Sequence, residues 1–576
     1  MTASPVELLS QVERPHSPVR SGSGRWILNS WLDQLLIVSS PLLIIPLVFL
    51  IDSPLVGVKA ETISLIVVAF GALGHHFPGM IRAYGDPELF QRFRWRFILV
   101  PLFLFGVFFP LYHDHRSAIL LTVLLWACWH GLMQLYGFVR IYDAKVGSVS
   151  RVTAYWDWLL CLCWFSTAQL FSDEKMSALM EHWYNMGGPL VPPGAIPLLR
   201  GGGLGLSLAV LMGFLINYTF QTYRGTPPNP VKLLMLTAGI GCWWFAVVFV
   251  KNILLGVAVF EVFHDVQYLA IVWLYNCRRV SLSSDMGSFM RFVFRRGMLL
   301  LYVGLVFAYG LIGLVPNFLE DGTLKTVFMG ILWTSTILHY YYDGFIWKVR
   351  EKSTRSSLGL SAGGSGSCVP ESPWGGVVHT LKWSPLIALV AWILTTDLSA
   401  PTLAATRIEG LKQKYTQQLL GSSVLPANND ERSWLYTQFK QVQNIAQAIP
   451  DGESVQLQAA IMLANFGRND EAIKTLETLL KRHPSSCEAH QALGEISLYR
   501  GNGKRAINCF QSSLACATTS LQRSSANLKQ GEAFLREKEF TLAKACFQAA
   551  LKDNPRLKSS IDEVTRKLAD LPKDSP

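Results

Sequence analysis

The sequence predicts an all-α protein in two parts, a polytopic transmembrane bundle of about eleven helices followed by a soluble α-solenoid. Half of the 576 residues are hydrophobic, only 16% are charged, and the mean hydropathy is +0.29. That balance is too apolar for a soluble multidomain chain and too rich in Phe and Trp for a disordered one. The apolar residues fall in runs close to the roughly 20 residues that span a bilayer. After Thr396 the chain turns polar and shows a period near 34 residues, the mark of stacked helical repeats. The ten cysteines include no CxxC pair and lack the dense spacing of a secreted disulfide framework, which argues against a structural zinc site. A net charge of +11 would suggest nucleic acid in a soluble protein. Here the basic residues lie between apolar runs, where they act as topology signals, so nucleic acid is not an expected partner.

In chain order, residues 1–30 form a polar tail with Arg14, Arg20 and Arg25 and no signal-peptide pattern. Spans are predicted at 31–51, 60–81, 97–113, 117–139, 154–171, 201–219, 231–250, 253–276, 297–317, 325–347 and 380–396. The bundle proper covers 31–350, a Ser- and Gly-rich linker covers 351–378, and the last span lies within 379–397. Four basic clusters follow even-numbered spans: Arg92, Arg94 and Arg96; Arg140, Lys145 and Arg151; Arg278, Arg279, Arg291, Arg295 and Arg296; Lys348, Arg350, Lys352 and Arg355. They put that side and the N-terminus in the cytoplasm of a cytoplasmic or inner-membrane protein. An odd number of spans then places the C-terminal region outside, in a periplasm or its equivalent.

Residues 398–452 form a connecting helical region, with an extra helix expected at 431–448. Beyond it, Ala472, Ala506 and Ala543 are spaced by 34 and 37 residues. Leu476, Phe510 and Phe547 each follow four later, Ala460, Gly494 and Gly531 each precede by twelve, and Pro484 and Pro555 close two units. This pattern resembles the tetratricopeptide repeat, with units at 453–486, 487–520 and 524–557 and a capping helix at 558–570. The resemblance implies stacked helix pairs whose concave groove takes a protein partner.

Ionisable side chains inside spans are costly and by default mark function. His75 and His76 stand near the end of the second span, His130 in the fourth, His264 in the eighth and His339 in the tenth. Measured to the first basic residue beyond each, His76, His339, His130 and His264 lie roughly 9, 13, 15 and 21 Å deep, a single layer reached from parallel helices. Glu261, His264 and Tyr268 share one helix face with Asp265 adjacent, and His339 and Asp343 form an i, i+4 pair. A lone histidine on an apolar helix is more often an interhelical hydrogen-bonding residue than a ligand. Five at one depth, two with carboxylates at helical spacing, favour a shared metal or proton-transfer site, because imidazole with carboxylate suits a borderline transition metal. His76, His130, His264 and His339 are expected to converge, with His75 able to serve in place of His76. Glu261 and Asp343 are expected as ligands, as acceptors behind them, or with Tyr268 as acid–base groups. His113 and His115 in an outer loop, His182 and His379 outside the spans, and His483 and His490 in the repeats are set aside. Arg82 and Arg140 each begin an Arg-x-Tyr sequence at a cytoplasmic boundary, a pattern open to a substrate headgroup or to plain interfacial anchoring.

In plan, histidines near the cytoplasmic leaflet of a polytopic protein resemble the non-haem iron membrane oxygenases, both the lipid desaturases and hydroxylases and the carotenoid-cleaving group. The desaturase HxxxH and HxxHH boxes are absent, and isolated histidines on separate helices look more like the carotenoid-cleaving type. The resemblance implies iron, as one ion or a pair, and oxidation, desaturation or hydroxylation of a lipid or isoprenoid. Two other classes stay open: a metal-free acid–base lipid or isoprenoid enzyme, and a transporter or assembly factor whose repeats bind a client.

Overall fold

The computed structural model describes residues 24–347, 388–398 and 429–562, apart from 54, 55, 57, 59, 115, 149, 283–285, 296, 321, 559 and 560, together with Leu358 and Ser384. Apart from Leu358, the predicted linker lies outside the described residues, as do His115, His379 and most of the capping helix. Every regular element among those described is helical. The chain divides into two compact units, residues 1–172 with 200–398 and residues 173–199 with 399–576.

The first unit holds α1 (Ser40–Asp52), α2 (Ala60–Gly85), α3 (Pro87–Asp114), α4 (Arg116–Lys145) and α5 (Arg151–Phe171). After the excursion to the second unit come α7 (Ala195–Tyr223), α8 (Val231–Phe249), α9 (Ile253–Leu282), α10 (Ser288–Val293), α11 (Leu299–Phe318), α12 (Thr323–Ile346) and α13 (Ala388–Leu398). Seven of the described helices are long and apolar enough to cross a membrane, and the bent pair Ser30–Val38 and Ser40–Ile51, at 45°, makes an eighth. The expected count of about eleven is therefore not shown among the described residues. Helices α5 and α12 have 21 and 24 residues, but their Asp, His, Ser, Thr and Tyr side chains lower the hydropathy. Some of them face protein, Asp157 on α5 and His339 on α12 being buried, while Tyr155 on α5 is exposed. Helix α13, at Ala388–Leu398, is too short to qualify.

Local irregularities shape the interior. Helix α2 runs as a π-helix over Val67–Leu73 before resuming α-geometry at His76. A π segment carries one extra residue per turn and re-aims the side chains beyond it. Its backbone lies against α11, where a Cβ at Gly310 would collide with the Ala69 carbonyl; only glycine permits that approach. Helix α3 kinks at Phe93, where φ is −121°, and packs along α12 through Phe97, Leu338, Tyr342 and Phe345.

The second unit contains α6 (Asp173–Asn185), α14 (Asn429–Ala448), α15 (Glu453–Asn465), α16 (Asn469–Arg482), α17 (Cys487–Tyr499), α18 (Gly503–Cys516), α19 (Ser520–Arg536) and α20 (Phe540–Asp553). Helices α15 to α20 form three pairs, and α14 is the extra helix at their front. The repeated alanines Ala472, Ala506 and Ala543 are each 0% exposed. The repeated small residues have a steric cause: a Cβ at Gly494 would stand 2.6 Å from the Phe510 ring, and one at Gly531 2.5 Å from Phe547. The turn within each pair uses a left-handed residue, Gly467 at φ 75°, Gly501 at 79° and Lys538 at 66°. In the third pair a lysine bears the cost that glycine avoids. That pair also starts early. Thr519 forms a capping box with Gln522, so α19 begins at Ser520 and absorbs the three-residue insertion as a longer helix.

Helix α6 belongs to this second unit and packs on α14. Tyr184 donates a hydrogen bond to Asn444 Oδ1, the Val191 N–H donates to the Tyr184 hydroxyl at 3.0 Å, and Asn444 Nδ2 donates to the Val191 carbonyl at 3.0 Å.

Candidate metal centre

Four helices of the first unit each deliver one imidazole to the same point. The ligand nitrogens of His75 (α2), His130 (α4), His264 (α9) and His339 (α12) all lie within 4.8 Å of one another, and all four side chains are buried. His75 Nε2 is 2.9 Å from His339 Nε2, which is 3.1 Å from His130 Nε2. The His264 ring lies 5.1 Å from that of His75 and 5.0 Å from that of His130.

His75, rather than His76, completes the group. Successive residues of a helix point about 100° apart, and after the π segment it is His75 that turns inward. His76 stacks on the His339 ring at 4.6 Å and pairs through Nδ1 with Ser335 Oγ at 3.0 Å. Ser335 Oγ also lies 2.8 Å from the Tyr309 hydroxyl. His76 therefore supports a ligand-bearing neighbour from outside the four-residue group.

The carboxylates divide between positions. Asp265 Oδ1 is 2.7 Å from His75 Nδ1, which is also 3.0 Å from the Gly71 carbonyl. Asp343 accepts hydrogen bonds from the Tyr268 hydroxyl at 3.0 Å and Trp347 Nε1 at 2.9 Å, and its Oδ2 is 3.8 Å from His339 Nε2. Glu261 is outside the four-residue group and lines, with His75 and His264, a cavity of about 260 Å³. His75, His76, His130 and His264 form part of the cavity wall, and Val68, Ala72, Leu332, Trp333 and Tyr340 make much of the rest. Wall and volume suit an apolar segment lying against the histidines.

The donor set fits a transition-metal ion. Nitrogens about 3 Å apart, sharing one buried point, match the edge of a coordination shell with metal–nitrogen bonds near 2.0–2.1 Å. Several imidazolium charges could not share that point, because each would be desolvated and repelled by the next. Neutral imidazoles offer lone pairs that a cation satisfies.

The two arginines of the Arg-x-Tyr pattern both have partners within the protein. Arg82 is buried, with its guanidinium between the Tyr275 and Trp347 rings at 4.1 and 4.0 Å. Arg140 belongs to a buried charge network: its Nη1 is 2.7 Å from Asp143 and 2.9 Å from Asp157, while Lys232 Nζ is 2.9 Å from each. The Asn229 backbone N–H also donates to Asp143 at 3.0 Å. Arginine at these positions is held by aromatic faces and internal carboxylates.

Sequence reasoning passed over Asp157, Lys232 and Asp33. Asp157 lay inside a predicted span, where a charge is itself a signal. Lys232 stood at the edge of a predicted span and drew no reading of its own. Asp33 accepts hydrogen bonds from the Ile27 and Leu28 backbone N–H groups at 2.7 and 2.8 Å and from Tyr142 at 3.0 Å, partners that no local pattern reveals.

No curated protein matches the chain. In the second unit, the model of the family described as Tetratricopeptide repeat matches residues 454–486. Repeats of this kind commonly mediate contacts between proteins. The match covers α15 and α16, and these two helices are a tetratricopeptide repeat.

Proposed function

We propose that the membrane unit is a metal-dependent enzyme that holds iron between His75, His130, His264 and His339 and oxidises, desaturates or hydroxylates a lipid or isoprenoid chain. The observation that carries this is the convergence of four buried imidazoles from four helices beside a largely apolar cavity. Bound iron would supply the redox chemistry. The remaining work falls to the protein: Val68, Ala72, Leu332 and Trp333 exclude water and orient an apolar segment, and Glu261 presents a carboxyl group that can hold or move a proton at the cavity wall. On the far side of the imidazoles, Tyr268 and Trp347 fix Asp343 beside His339.

The repeats would hold a protein partner outside the cytoplasm. Two facts support that side: the basic clusters alternate with the helices, and the outer-loop segment 173–199 belongs to the same compact unit as the repeats.

Metal analysis of the full-length protein purified in detergent, after anaerobic loading with ferrous iron, tests the reading. About one iron per chain, or two for a paired site, is expected, with severe loss in each of His75→Ala, His130→Ala, His264→Ala and His339→Ala and retention in His76→Ala. Equal iron content in the wild type and all four variants would refute it.

A further inference from the structure

Among the described residues, only one of the four imidazoles has a carboxylate oxygen against its outer nitrogen. His75 Nδ1 faces Asp265 Oδ1 at 2.7 Å and the Gly71 carbonyl at 3.0 Å, while its Nε2 points to the shared centre. The contrast with His339 is direct. Its Nδ1 is buried with no hydrogen-bond partner, and its nearby carboxylate, Asp343, lies 3.8 Å from the inward Nε2.

The Gly71 carbonyl can only accept, so its bond to Nδ1 puts the proton there and leaves Nε2 as a lone pair, and the Asp265 carboxylate lies against that N–H edge as a charge contact. The backbone is built for the contact. Gly71 sits within the π segment of α2, and a Cβ there would collide with Asp265 Oδ2. The absence of a side chain lets the carboxylate lie flat against the helix that carries His75.

We infer that Asp265, admitted by Gly71, is a positioning residue that locks His75 with its proton on Nδ1 and its Nε2 toward the metal, making His75 the anchored ligand of the four. The inference rests on the metal-site reading above. Removing an outer partner of a ligating histidine typically costs about 10–100-fold in metal affinity. Asp265→Ala and Gly71→Ala should each fall in that range, for the same reason. They should therefore not add: Gly71→Ala in an Asp265→Ala background should lose little further affinity. Asp265→Asn, which keeps an acceptor oxygen but loses the charge, should lose less than Asp265→Ala.

The test is cobalt(II) titration of the full-length protein in detergent, read by its visible spectrum and by chelator competition, with the melting temperature of each metal-free variant measured alongside. Weaker cobalt binding with an altered ligand-field spectrum, an unchanged metal-free melt, and non-additivity of the pair are expected. Wild type that takes up no cobalt would overturn the metal site and this inference with it. Wild type that binds while Asp265→Ala binds equally well would overturn the role of Asp265 alone. So would additive losses from Gly71→Ala and Asp265→Ala. If Asp265→Ala melts early without metal, Asp265→Asn decides: unchanged affinity and spectrum there would count against positioning.

Discussion

Lys232→Met is the sharpest test of how the first unit holds charge. The network formed by Lys232, Arg140, Asp143 and Asp157 sums to zero, and both carboxylates and the lysine are 0% exposed. Methionine fills nearly the same volume but removes one positive charge, so two buried carboxylates must share Arg140. Breaking a buried ion pair by deleting one partner costs about 3–5 kcal/mol, because the remaining charge stays desolvated. At about 1.4 kcal/mol per power of ten, the unfolding equilibrium should shift by roughly two to three and a half powers of ten. The assay is reversible unfolding of the full-length protein in mixed SDS micelles. The decisive comparison is Lys232→Met with Asp157→Asn, which restores neutrality around Arg140 and Asp143. The double variant should be more stable than Lys232→Met by at least about half of the lost free energy. A double variant no more stable than the single one would show that Lys232 acts through packing, and the charge-balance account would fail.

Two further outcomes follow from the second unit. Reporter fusions at Gly187 and at Asp451 should report one side of the membrane and a fusion at Gly147 the other, because α6 and α14 share a compact unit; the same side for all three would refute the topology. Burial raises the Glu495 carboxyl above its ordinary range despite the hydrogen bond from Gln491 at 2.9 Å. The folded form thus favours the protonated acid, and this contribution is present below the unfolded pKa near 4.3 and lost as pH rises through the folded value. Glu495→Gln should accordingly increase hydrogen-exchange protection of α17 and α19 at pH 7, with the gain fading toward about pH 4; equal gains at both would rule out ionisation as the cause.

How much of this was legible in the sequence depends on the range of the interactions. The repeats were readable because each cause is local and recurs: Phe510 needs Gly494 and Phe547 needs Gly531, sixteen residues apart in both cases. The four helices bearing histidines were readable because a polar residue inside an apolar run stands out. The choice between His75 and His76 was not, since it turns on a π segment whose formation depends on packing of α2 against α11. The internal partners of Arg82 and Arg140 were hidden for a related reason. A basic residue at a span boundary looks the same in sequence whether it meets a headgroup, an aromatic sandwich or a buried aspartate, and the deciding partners are far away, as Tyr275 and Lys232 are. The predicted spans at α5 and α12 are not shown as apolar enough to cross, because polar residues such as Asp157 and His339 depress their hydropathy.

The second unit is assembled from two stretches of chain, and this sets an order of events during synthesis. Helix α6 emerges from the ribosome some 240 residues before α14, the helix whose Asn444 it binds. Until then its buried face, with Met176, Met180 and Tyr184, has no mate. At typical elongation speeds of about 5–20 residues per second, that interval lasts on the order of ten seconds or more. Throughout it an apolar stripe stands open beside a half-made protein, and it closes only when α14 arrives.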